Sequence, residues 1–186
     1  MDKMLDCAVT VENSERRIDT RRLAVIALLT AVSLVASFIE SLLPPLIPIA
    51  PGAKLGLGNI APLVALIILG VGDAFIVTIL KCLLGAFITG GVSGLMYSVP
   101  ASIAALAVEA LLYKLVLGKM SVTAISLIGA IVFNVVQLFV ACMVTGVDLW
   151  LLLPLLSAAG IIAGTFTGLL AYTIVKKLPM SVFGRR

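Results

Sequence analysis

The stretch LAVIALLTAVSLVASFIESLL (residues 23–43) runs for 21 residues with a single charged side chain, Glu40, before PPLIPIAPGAK (residues 44–54) interrupts it. At 1.5 Å per residue a helix of that length is about 31 Å long, enough to cross a hydrocarbon core of about 30 Å. Pro44, Pro45, Pro48 and Pro51 fix their own φ angles and remove backbone donors, so the helix cannot continue and a stiff loop must follow. Upstream, residues 1–22 mix Asp2, Asp6, Glu12, Glu15 and Asp19 with Arg16, Arg17, Arg21 and Arg22. They read as a cytosolic tail rather than a cleavable signal peptide, because a full-length span follows them.

The same character continues downstream. Of the 186 residues, 62% are hydrophobic and 12% charged, and the mean hydropathy is +1.26. A water-soluble domain of this size needs more polar surface, so the excess apolar residues must face lipid. Residues 55–69 form a short apolar segment that Gly70-Val71-Gly72 ends, and Asp73 is placed to cap the next helix, which runs to about Thr89. Further spans are expected at 93–117, with a kink at Pro100, at 122–145 and at 148–175. The reading is an all-α membrane protein: a tail over 1–22, a six-helix transmembrane domain over 23–176 and a cytosolic tail over 177–186.

The short second segment decides the topology, and the basic residues test it. With six spans and an internal N-terminus, Lys3, Arg16, Arg17, Arg21, Arg22, Lys114, Lys119, Lys176, Lys177, Arg185 and Arg186 all lie inside. Lys54 alone lies outside, and Lys81 lies within the membrane. If the second segment did not cross, Lys114, Lys119 and the four C-terminal basic residues would move outside. The positive-inside bias therefore favours six spans with both termini cytoplasmic.

Several chemistries are excluded or disfavoured. The chain has no histidine, which removes His-based triads, HExxH zinc sites and a haem histidine. Its three cysteines are scattered, with Cys82 and Cys142 inside apolar runs as small filler. No GxxxxGK[ST] motif is present, so the chain cannot drive transport by its own P-loop. No aspartate-rich pair exists to hold a Mg²⁺-diphosphate. No catalytic residue, metal or cofactor is expected. The net charge of +4 comes from residues flanking apolar segments, so it signals topology and not a nucleic-acid partner.

Polar residues inside lipid are the candidates for function. Lys81 and Glu109 lie at nearly equal depth on adjacent helices, roughly 13 Å from the inner ends, and are expected to pair. That pair reads either as a structural ion pair or as a gate. Asn134 and Gln137 share one face of the fifth helix, in the outer half, where two amides suit a ligand or an interhelical bond. Glu40, Lys54 and Asn59 are placed at the outer mouth, with Gly56 and Gly58 beside a helix start. Gly160, Gly164 and Gly168 make a groove for close helix packing, and Ala24, Ala27 and Ala31 make a small face open to a partner.

The segments Pro51-Gly-Ala-Lys-Leu-Gly-Leu-Gly-Asn-Ile60, Lys81-Cys-Leu-Leu-Gly85 and Asn134-Val-Val-Gln-Leu138 resemble the Gx transporter family, also labelled heptaprenyl diphosphate synthase component I. The resemblance spans roughly residues 22 to 178. The family commonly carries Arg where Lys81 stands and often His where Phe133 stands, so charge is kept at the first position and a His-dependent step is in doubt at the second. That family is similar to the S components of energy-coupling factor (ECF) transporters of the bacterial cell membrane. The resemblance implies a small-molecule ligand bound near the outer face, with a transmembrane coupling protein and ATPase subunits as partners. The ligand would be a vitamin-, quinone/prenyl- or flavin-related solute, and Ala27 and Ala31 would supply a docking face. Two rival readings are a non-catalytic membrane component of heptaprenyl diphosphate synthase and a structural subunit of an electron-transfer complex.

Overall fold

A computed structural model describes residues 20–42, 56–89, 92–115 and 120–177. Among the described residues the chain is helical: α1 (Thr20–Ser41), α2 (Ile60–Ile68), α3 (Val71–Thr89), α4 (Val92–Leu115), α5 (Val122–Thr145) and α6 (Leu153–Lys177). Short 3-10 turns, Leu57–Asn59 and Trp150–Leu152, precede α2 and α6. Among the described residues five helices are long and apolar enough to cross a membrane, and α2 is too short for that. The chain is an all-α, multi-pass membrane bundle.

Most sequence boundaries hold to within a few residues, and the differences have local causes. α3 opens at Val71, so Asp73 lies inside its first turn and does not cap it from outside. Its carboxylate instead accepts two hydrogen bonds from Arg22, from Nε at 2.7 Å and Nη2 at 2.6 Å. α5 starts after Ser121, whose hydroxyl accepts from the Ala124 N–H at 3.2 Å. α6 starts later than expected, at Leu153, which places Pro154 in the first turn where its missing N–H costs no helical bond.

The five long helices each bury one face. In their apolar windows between 22% and 39% of residues are buried, and the rest are left for lipid. α2 is different, since every residue from Ile60 to Leu66 is buried. A helix apolar all round belongs in the middle of a bundle. Leu63, Val64, Ala65 and Leu66 pack there with Ile26, Ala74, Val77, Leu106, Ala110, Ile125 and Ala171. Among the described residues the shortest α-helix is thus the one most fully buried, with long helices packed around it.

Two contacts fix the level of α2. Ser33 donates to Gly58 O, and Ser33 is eleven residues beyond Arg22 on α1, or about 16 Å along it. The 3-10 turn before α2 therefore sits near mid-depth. The Arg22–Asp73 bridge then ties the start of α3 to the start of α1. Between those levels α2 descends antiparallel to α1, as a half-length helix that begins inside the bundle.

Close packing joins α5 to α6. A Cβ on Gly164 would lie 2.8 Å from Ala130 Cβ and 3.0 Å from Leu127 Cα, and one on Gly168 would lie 2.7 Å from Thr123 Cα. Only hydrogen in those positions lets the helices approach so closely. Ser126 Oγ, which donates to Gly164 O at 2.9 Å and shares a 2.9 Å contact with Thr167 Oγ1, adds polar glue to the seam.

Candidate functional site

Three buried polar side chains, Ser33, Glu40 and Lys81, bond to the irregular turn Gly56–Asn59. Gly56 has φ +94°, a left-handed conformation that a side chain resists. Its N–H donates to Glu40 Oε1 at 2.7 Å, so the buried Glu40 carboxylate holds the turn from the C-terminal end of α1. A Cβ on Gly56 would also press on Asn59 Nδ2 at 3.1 Å and Phe133 Cδ1 at 3.2 Å. Gly56→Ala should therefore lower stability by about 1–2 kcal/mol from the left-handed backbone alone, read as a fall in the thermal midpoint in detergent. Gly58 lies so close to α1 that a Cβ there would collide with Ser37 Oγ.

Lys81 reaches this turn from α3. Its ammonium donates to Asn59 Oδ1 and, at 3.3 Å, to Gly58 O. It is buried, as an intramembrane cation must be unless it reaches water. The expected partner, Glu109, is also buried. The direct hydrogen bonds shown for Lys81 go to Asn59 and Gly58, which the matched-depth argument did not anticipate. Glu109 fits a notch in α5, since a Cβ on Gly129 would collide with its carboxylate.

Asn134 and Gln137 are both buried on α5. Asn134 Nδ2 donates to Leu156 O at 3.1 Å and fills the space above Gly160, where any Cβ would strike it. Gly160 therefore accommodates an amide, while Gly164 and Gly168 accommodate the backbone and small side chains of α5. Phe133, next to Asn134 in sequence, lies against Gly56 and packs with Ala101 and Ala105. Phe133 of α5 and Gly56 are thus neighbours. Lys54 lies outside the described residues. Ala24, Ala27 and Ala31 are all exposed on α1, on a surface that lipid or another protein must cover.

Ser33 at this centre escaped the sequence reading, being one hydroxyl in an apolar helix. Gly56 and Phe133 were marked in the sequence for other reasons, and their contact with each other was not foreseen. A serine one turn below Ser37 on a helix facing Gly-x-Gly was the available signal, because small residues on both sides mark a close approach.

Neither a curated protein nor a solved structure matches the chain. A family model described as heptaprenyl diphosphate synthase component I matches residues 29–174, and the chain belongs to that family.

Proposed function

We propose that this protein is the membrane-embedded solute-binding subunit of an uptake transporter, similar to an ECF S component, with six crossings and both termini in the cytoplasm of a bacterial cell. The observation that carries this reading is the half-length helix α2, which begins with an irregular turn at mid-depth. Irregular backbone within a membrane is tolerated where protein buries it or where it lines a cavity. Half-length helices that begin near the midplane are where transporters assemble solute sites from helix ends and buried polar groups. Here the turn Gly56–Asn59 meets Glu40, Lys81 and Phe133, the residue before Asn134 on α5. Glu40, Asn59 and Gln137 are the proposed ligand contacts, with Asn134 holding α6 in place beside them and Lys54 at the mouth. The solute is of the vitamin, quinone/prenyl or flavin class. The coupling protein and ATPases are separate chains, and the exposed Ala24, Ala27 and Ala31 face is their docking surface.

Native mass spectrometry of protein drawn gently from its own membranes tests this. A bound small molecule is expected, lost on Asn59→Ala and on Gln137→Ala but kept on Gly85→Ala, where a Cβ meets only Leu34 Cδ2 at 3.7 Å. A ligand retained by both site variants would sink the assignment. The family description favours a second reading, a non-catalytic component of a heptaprenyl diphosphate synthase complex. A purified chain empty of solute but carrying a prenyl synthase subunit would establish that one instead.

A further inference from the structure

We infer that Tyr97 is a further solute contact, and that the group it and Asn134 hold is an uncharged N–H beside a C=O, as in an amide, lactam or imide. This assignment rests on the solute-binding reading and narrows the chemistry of the solute. Tyr97, Ala101 and Ala105 recur at every fourth position and share one face of α4. Ala101 and Ala105 pack with Phe133, while Tyr97 packs with Leu138, Ala141, Leu149 and Leu156. Asn134 follows Phe133 on α5 and lies one turn before Leu138. Its Nδ2 donates to the carbonyl of Leu156, a member of the Tyr97 cluster. Tyr97 and Asn134 thus reach the same residue from two helices.

Both side chains are buried, Tyr97 at 4% exposure and Asn134 at 1%. A buried phenol ordinarily finds a hydrogen-bond partner. No described residue bonds to the Tyr97 hydroxyl, and none donates to Asn134 Oδ1. Yet among the described residues every side-chain nitrogen or oxygen sealed from open space has a partner. These two oxygens are therefore not sealed, and each borders open space. At Asn134 that space lies within the bundle, because almost none of the residue reaches the surface. Keeping polar atoms dry is costly, so a polar guest belongs there.

The two atoms define the guest. Asn134 Oδ1 can only accept, so the guest must donate to it, and the phenol O–H can donate to a neighbouring acceptor. No charge is called for. α5 carries none, α4 carries none before Glu109, and α6 carries none before Lys176. An ionised group would lose its water there without a counter-charge. An amide-type group satisfies both oxygens, whereas a quinone offers acceptors alone and leaves Asn134 Oδ1 unmet.

Native mass spectrometry of the full chain from its own membranes, run on the unmodified protein, Tyr97→Phe and Ser98→Ala, tests this. The recovered molecule is identified, then dialysed back against each emptied protein. It should carry an amide-type N–H, seen as deuterium exchange, and bind Tyr97→Phe about three- to tenfold more weakly. Ser98→Ala, which loses only a hydroxyl donating to Gly94 O at 2.7 Å on the same helix, should bind it unchanged. The emptied Tyr97→Phe protein should keep the thermal midpoint of the unmodified chain, because the lost hydroxyl made no bond within the protein. A lowered midpoint would mark the hydroxyl as structural and overturn the assignment. Unchanged binding by Tyr97→Phe, or a recovered molecule without an amide-type N–H, also overturns it and leaves the solute-binding reading standing. A chain that carries no molecule at all overturns both.

Discussion

Gly168→Val should destabilise the bundle by about 2–3 kcal/mol, the scale of overpacking in a closely packed interior. The reason is what the new Cβ meets. At Gly168 it lies 2.7 Å from Thr123 Cα and 2.8 Å from Ser126 Cβ. A backbone atom cannot rotate away as a side-chain tip can, so relief requires α5 and α6 to separate. Separation would also stretch the Ser126 bond to Gly164 O and its contact with Thr167. Gly164→Val meets Leu127 Cα and Ala130 Cβ in the same seam. The double variant should lose less than the sum of the two, because the first substitution already parts the helices. Gly85→Ala is the control, where the contact at 3.7 Å is ordinary and the gain in helix propensity is up to about 1 kcal/mol. Thermal unfolding in detergent, followed by circular dichroism, reads all four. A Gly168→Val protein as stable as the unmodified chain would mean that α5 and α6 do not meet at these glycines.

Arg22→Ala should cost about 2 kcal/mol, and Asp73→Asn should cost clearly less. The asymmetry follows from burial. The Asp73 side chain is 3% exposed and that of Arg22 is 52% exposed. Removing arginine strands a buried carboxylate, which can cost 3–5 kcal/mol for a fully buried pair, reduced here to about 2 because water reaches the arginine side. Neutralising the aspartate leaves an arginine that can turn to water or lipid headgroups, so little is stranded. Arg22→Ala/Asp73→Asn should therefore be more stable than Arg22→Ala alone. Equal costs for both single variants in the same unfolding assay would show that the pair is not a structural tie between α1 and α3.

The site was legible in part. Lys81, Glu109, Asn134 and Gln137 stood out because polar groups in a hydrophobic run are visible in one dimension. Their partners did not stand out. The depth argument paired Lys81 with Glu109 from rise per residue, and it could not see the turn to which Lys81 bonds. Asn59 and Gly58 reach Lys81 only because α2 starts at mid-depth, and that start depends on Ser33 and Glu40 gripping the turn from α1. For Asn134 the sequence left a ligand contact and an interhelical bond open, and it could not name the partner. Its amide finds Leu156 O across a helix interface, over 22 residues of chain.

Hydropathy is a sum over neighbours in sequence, so the apolar helices, their approximate ends, the proline break after α1 and the membrane environment were determined by the sequence alone. The small residues at 160, 164 and 168 also announced a close helix contact by spacing alone. What the tertiary structure decided was the place of the shortest helix. Composition cannot tell a short segment that faces lipid from one that lipid never touches, because both are apolar. Only the packing of Leu63, Val64, Ala65 and Leu66 against five other helices put α2 at the centre. The same packing turned a glycine-rich loop into the platform on which a buried lysine rests.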